Sequence, residues 1–128
     1  MPKLDAIGIV AADVQESARF YRLLGVDFPE SEEDHIEAST PTGLRVMLDS
    51  VEMAKQFDDQ WVQPQGRPIA LAFLCESPDE VNATYERVVL AGYRSKNAPF
   101  DAFWGQRYAT VLDPDGNGVD LFAPLPQA

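Results

Sequence analysis

The sequence predicts an α+β fold built from two similar βαβββ halves, and three observations predict it. A dense turn signal, Asp113-Pro114-Asp115-Gly116-Asn117-Gly118, stands between two apolar runs, Tyr108 to Leu112 and Val119 to Phe122. Proline presets φ for a turn corner while glycine and asparagine accept positive φ, so the stretch reads as a β-hairpin. A fainter copy, Pro41-Thr42-Gly43-Leu44-Arg45-Val46-Met47-Leu48, aligns with the residues from Pro114 at an offset of 73, with Pro, Gly, Val and Leu matching. Earlier in each half, Tyr21-Arg22 lies 64 residues before Tyr85-Glu86, and the same offset lays Ile7-Gly8 over Leu71-Ala72. The same order of elements follows in both halves, with about nine extra residues between helix and hairpin in the second.

In chain order, Leu4 to Ala11 is apolar apart from Asp5 and reads as a strand. Asp13, with Glu16 three residues on, starts a helix whose Val14, Ala18, Tyr21 and Leu24 recur at helical spacing and which Gly25 closes. Val26 to Phe28 is expected as a short strand, followed by the acidic loop Glu30 to Asp34. His35 to Thr40 and Leu44 to Asp49 form the first hairpin, Val51 to Phe57 a short helix, and Asp58 to Arg67 the linker carrying Trp61. In the second half, Pro68 to Cys75 is an apolar strand. Ser77-Pro78-Asp79-Glu80 opens a helix with Val81, Tyr85, Val88 and Val89 as its buried stripe and Gly92 at its end. Tyr93 to Lys96 is a short strand, Asn97 to Trp104 a loop, and the 113–118 hairpin closes the plan. The expected organisation is a single domain, residues 1–128, with the first module over 1–63 and the second over 64–128.

The balance of 10 Lys and Arg against 21 Asp and Glu, a formal charge of −11, opposes a nucleic-acid partner. That charge serves solubility first and would also attract a cationic ligand. Cys75 stands alone and cannot form an internal disulfide, which fits a buried thiol in a reducing cytoplasm. No apolar run reaches the roughly 20 residues of a membrane span, and the N-terminus lacks the apolar core of a signal peptide.

The strand, the Asp-led helix ending Phe20-Tyr21-Arg22-Leu23-Leu24-Gly25, and the Asp113 to Phe122 hairpin resemble the glyoxalase / bleomycin-resistance / extradiol-dioxygenase superfamily, also called vicinal oxygen chelate. The resemblance spans essentially the whole chain. It implies two βαβββ modules whose sheets curl around a concave pocket, often in homodimers. It also implies metal ligands on the first and last strands of each module. Those positions read Ala6, Ala70, Met47 and Asp120 in this sequence. Alanine has no donor atom and a thioether suits hard or borderline divalent ions poorly, so no metal and no other cofactor is expected. His35 lies outside these positions and reads as a lone strand or surface histidine.

Period-two alternation with Ala6, Ala70, Met47 and Asp120 turns Gly8, Arg45, Ala72, Tyr108, Thr110 and Phe122 toward the same cup. Trp61, Phe103 and Trp104 are candidates to wall its mouth; packing in a core or a dimer interface is the competing role for the last two. The candidate ligand-binding set is Trp104, Asp120, Tyr108, Phe103, Trp61, Arg45, Met47 and Phe122, whereas Gln106 and Arg107 carry no discriminating signal. The expected function is metal-independent binding of an aromatic or amphipathic small molecule, with cationic, antibiotic-like compounds among the candidates. The alternative is a glyoxalase-like lyase or isomerase, or a dioxygenase relative, with a divergent or absent metal site. In a metal-free enzyme Asp120 would be the acid–base residue.

Overall fold

The structure, a computed structural model, describes residues 1–127. The chain divides into two compact units, Met1–Gln65 and Gly66–Ala128.

The first unit comprises β1 (Ala6–Ala11), α1 (Val14–Arg22), β2 (His35–Ser39), β3 (Arg45–Ser50) and α2 (Val51–Phe57). Its sheet has the order β1-β3-β2, with β1 parallel and β2 antiparallel to β3. Asp13 caps α1 by accepting from the Glu16 amide at 3.1 Å, satisfying one of the helix's unpaired donors. The buried side of α1 is Val14, Ser17, Ala18, Phe20 and Tyr21, and the last two rings meet edge to face at 4.9 Å. Gly25 follows the helix at φ +87°, a conformation that favours glycine.

This unit has one strand fewer than expected, because Val26 to Phe28 does not pair. The Arg22 side chain takes the carbonyls of Phe28 (2.9 Å) and Pro29 (3.0 Å), so the backbone is anchored by a guanidinium instead of a neighbouring strand. Val26 and Phe28 are nonetheless buried, which explains the apolar pattern that suggested a strand.

The second unit comprises β4 (Ala70–Leu74), α3 (Pro78–Leu90), β5 (Arg94–Ala102), β6 (Gln106–Leu112) and β7 (Gly118–Pro124). The sheet order is β4-β7-β6-β5, with β4 parallel to β7 and the other pairs antiparallel. Ser77 Oγ accepts from the Glu80 amide at 3.1 Å to cap α3, and Pro78 occupies its first turn. The buried stripe is Val81, Thr84 and Val88; Val89 is 36% exposed and Tyr85 half-buried, its hydroxyl donating to Ser95 at 2.6 Å. The buried stripe is therefore rotated by about one residue from the expected one, with Thr84 in line with Val81 and Val88.

The expected loop at Asn97 to Trp104 is largely strand. β5 runs on to Ala102, with register shifts between Ser95 and Asn97 and between Asn97 and Phe100. Those irregularities break the simple alternation that announces a strand, and Pro99 adds a turn-like signal. Phe103 and Trp104 consequently sit at the tip between β5 and β6, closed by Gly105 at φ +92° with its amide on the Ala102 carbonyl at 3.0 Å.

The β6–β7 turn forms as the sequence predicts. Asp113, 1% exposed, accepts from the amides of Asp115 and Asn117, each at 2.9 Å, and from the Asn117 side-chain nitrogen at 2.8 Å. Cys75, just past β4, is buried, and burial pushes its thiol pKa up, away from nucleophilic character.

Candidate functional site

In the second unit α3 lies against β5, β6 and β7. Val119, Leu121 and Ala123 of β7 and Ala109 and Val111 of β6 are buried. The intervening residues point the other way, and the register places them side by side. Thr110 lies opposite Asp120, Tyr108 opposite Phe122, and Ala72 opposite Asp120 from the β4 side. Asp120 thus occupies the middle of the helix-free face, between a hydroxyl and a methyl group.

Its carboxylate is held on both oxygens. Tyr108 Oη donates to Oδ2 at 2.6 Å and Thr110 Oγ1 donates to Oδ1 at 2.8 Å. Burial, reinforced by the neighbouring Asp120, pushes the Tyr108 pKa up to about 12, so the phenol keeps its proton and remains a donor. Aromatic rings extend from this pair. Tyr108 and Phe122 stack at 6.3 Å with an interplanar angle of 28°. Trp104 meets Tyr108 edge to face at 5.4 Å, and Phe100 meets both Trp104 and Tyr108, at 6.3 and 6.2 Å. Trp104 remains 50% exposed, its indole nitrogen donating to Gln106 Oε1 at 2.7 Å. Phe103 touches Trp104 at 5.0 Å but is 97% exposed.

Five candidates from the sequence, Phe103, Trp104, Tyr108, Asp120 and Phe122, are therefore brought together. Phe100 was missed because its segment read as a loop; its position opposite Tyr108 identifies it. Arg107 points to the helix side, donating to Asn82 of α3 and to Asp101, each at 3.0 Å. Gln106 belongs to the site only as the acceptor that orients Trp104.

Trp61, Arg45 and Met47 belong to the first unit. There Val46 and Leu48 are buried, while Arg45, Met47 and Asp49 alternate to the opposite face, alongside His35 and Glu37 of β2. His35 is not a lone histidine. Its Nδ1 meets Asp49 at 2.5 Å and its Nε2 meets Glu37 at 3.0 Å. Arg45 donates onward to Glu37 at 2.7 Å and to Asp5 at 2.6 Å. The result is a row of alternating charge, Asp49–His35–Glu37–Arg45–Asp5. The hydrogen bond to Asp49, then that to Glu37, raises the His35 pKa, and His35, then Arg45, lowers that of Glu37. Sequence reasoning missed this row, although His35 and Glu37 lie two apart on a strand opposite Asp49. Arg45 is committed within it. Met47 faces Gly8 across the sheet, and Ala6 faces Arg45.

The four positions that would carry metal ligands do not fit a divalent ion. Ala6 and Ala70 have no donor atom, Met47 offers a thioether, and Asp120 by itself falls short of the roughly three protein ligands a metal site needs. Among the described residues no group of three or more His, Cys, Asp or Glu could hold a metal ion. Among them also, no helix is long and apolar enough to cross a membrane.

Comparison with known proteins agrees with this architecture. A glyoxalase/bleomycin resistance protein/dioxygenase family enzyme from Burkholderia phytofirmans PsJN superposes with a TM-score of 0.86 at 19% identity, over 97% of this chain and 100% of that one. A glyoxalase-related enzyme from Fulvimarina pelagi gives 0.80 at 24% identity, over 96% and 88%. A glyoxalase/bleomycin resistance protein/dioxygenase from Nocardioides gives 0.79 at 23%, over 100% and 87%. At these identities the likeness speaks for the fold. No curated protein matches the chain. The family model described as Glyoxalase/Bleomycin resistance protein/Dioxygenase superfamily matches residues 3–121, and the chain belongs to that superfamily.

Proposed function

We propose that this protein binds a small aromatic or amphipathic molecule against the helix-free face of its second unit, without a metal. One observation carries the reading: Phe100, Trp104, Tyr108 and Phe122 form a continuous row of rings around a single oriented carboxylate, Asp120. Aromatic side chains supply large, stiff contact area, and one fixed polar group supplies orientation. Antibiotic-like compounds with a planar part are ligands of this kind. Catalysis is the weaker reading. Acid–base chemistry at Asp120 would run beside the Tyr108 phenol, whose pKa, pushed up to about 12, is too high for it to pass on a proton near neutral pH.

The test is a titration of neutral planar compounds, 2-naphthamide and coumarin among them, against the Trp61→Phe variant, so that Trp104 alone reports. Saturable quenching, confirmed by isothermal titration, is expected in protein that carries no stoichiometric metal by elemental analysis. Failure of every planar compound to bind overturns the binding reading. Near one zinc, iron, nickel or manganese per chain, lost in Asp120→Asn, overturns its metal independence. The reading includes a homodimer, supported by the exposed apolar residues Leu4, Phe57 and Val62 in the first unit and Ile69 and Leu90 in the second. Light scattering that gives only 14.2 kDa at micromolar concentration refutes the dimer. It also includes a cytoplasmic location, supported by the single, unpaired thiol of Cys75.

A further inference from the structure

We infer that Asp120 is the counter-ion for a protonated planar nitrogen group, and that Tyr108 and Thr110 are positioning residues that aim its carboxylate. The inference rests on the proposed binding face and names the class of ligand it takes: an aromatic compound carrying an amidinium or a comparable flat cation.

The geometry supports this in three ways. First, a carboxylate offers about four lone-pair positions. The hydroxyls of Tyr108 and Thr110 take one on each oxygen, which fixes the plane of the group and leaves one acceptor position on each oxygen for an incoming donor. One remaining acceptor on each oxygen suits a flat cation that carries two N–H donors, as guanidinium-like and amidinium groups do. Second, the residue opposite Asp120 on the β4 side is Ala72, and Ala70 lies two positions along the same strand. A methyl group leaves room beside the carboxylate and brings no competing donor. Third, the Tyr108 ring adjoins it and meets those of Phe122 and Trp104, and aromatic faces attract a cation as well as stacking on a planar ligand. The chain's formal charge of −11 works in the same direction over longer range.

A second carboxylate-rich surface, the His35 row of the first unit, does not compete for this role. There each carboxylate already faces a protein cation, Asp49 and Glu37 on His35 and Glu37 and Asp5 on Arg45. The carboxylate of Asp120 meets only neutral hydroxyl donors in these contacts, so its charge is uncompensated by them.

Benzamidine and benzamide form the test pair, because they share shape and ring and differ in charge at neutral pH. In the Trp61→Phe protein, benzamidine is expected to quench Trp104 and to bind about tenfold or more tighter than benzamide, the scale of a charge-assisted hydrogen bond. Asp120→Asn should bring the two within about twofold, because the shape is kept and the charge removed. Tyr108→Phe and Thr110→Val should each narrow the preference several-fold, while Thr110→Ser, which keeps the hydroxyl, should retain it. The ratio of the two affinities is the decisive readout, since a loss of structure would weaken both ligands together. Equal binding of both compounds to the Trp61→Phe protein overturns the inference while leaving the binding face intact, provided the neutral compounds above bind. A ratio unchanged in both Tyr108→Phe and Thr110→Val overturns the positioning role. If no planar compound binds, the functional reading falls first and the inference with it.

Discussion

Asp113→Ala should be the most damaging single change to the β6–β7 turn, and its cost can be worked from the hydrogen bonds. The carboxylate is 1% exposed and accepts from two backbone amides at 2.9 Å and one side-chain amide at 2.8 Å. Bonds to a charged acceptor contribute about 1.5–3 kcal/mol each when water is excluded. Asp115 and Asn117 are only half-buried, so water recovers part of each loss, and about 1 kcal/mol per bond is the appropriate scale. The three together give about 3 kcal/mol. With a urea m-value of about 2 kcal/mol/M, that lowers the unfolding midpoint by about 1.5 M. The assay is urea denaturation of the Trp61→Phe protein followed by Trp104 fluorescence, which reports the unit that contains the turn. Asn117→Ala removes only the side-chain donor and should cost about a third as much, near 1 kcal/mol. A midpoint change below about 0.3 M for Asp113→Ala would show that the backbone holds this turn without the carboxylate, refuting the reasoning.

His35 is the only histidine, so its ring resonances titrate without ambiguity in nuclear magnetic resonance. Its pKa is raised, so the stabilisation from Asp49 and Glu37 is complete below the unfolded value near 6.5 and is lost as pH rises through the higher folded value. A midpoint above 6.5 is expected, falling in Asp49→Asn, and a midpoint at or below 6.5 in the parent protein contradicts the ion-pair row. Ser77→Ala should destabilise the second unit by about 1 kcal/mol through loss of the α3 cap, measured by the same urea assay; no shift would mean the cap is dispensable. Trp104→Ala should lose about 1–3 kcal/mol of affinity for a planar ligand in isothermal titration, and unchanged affinity would make the residue structural.

The parts of the fold announced by local chemistry were legible in the sequence. The Asp113 to Gly118 turn was legible because its residues satisfy one another within six positions, and α1 and α3 because Asp13 and Ser77 cap them at fixed spacing. What resisted reading depended on partners distant along the chain. Val26 to Phe28 has strand-like residues but finds a guanidinium, and β5 has irregular register but finds β6 along most of its length. The candidate site divides similarly. Alternation placed Tyr108, Thr110, Asp120 and Phe122 on one face, since a period of two needs no tertiary information. That Asp120 is gripped by two hydroxyls, that Phe100 joins the rings, and that His35 stands between two acids all depend on cross-strand register, which hydrophobic pattern does not specify residue by residue.

The irregular course of β5 bears on how the protein behaves when crowded. An outermost strand offers a row of free amides and carbonyls on which a foreign chain can add, the first step toward fibrils. β5 is outermost in its sheet and nine residues long, which would make it a hazard if it were flat. Two register shifts bend it, Pro99 removes one donor, and Arg94 and Lys96 place cations along it. A foreign strand laid there would lose alignment within a few residues. The features that hid this strand from a reading by pattern are the ones that make it a poor template for aggregation.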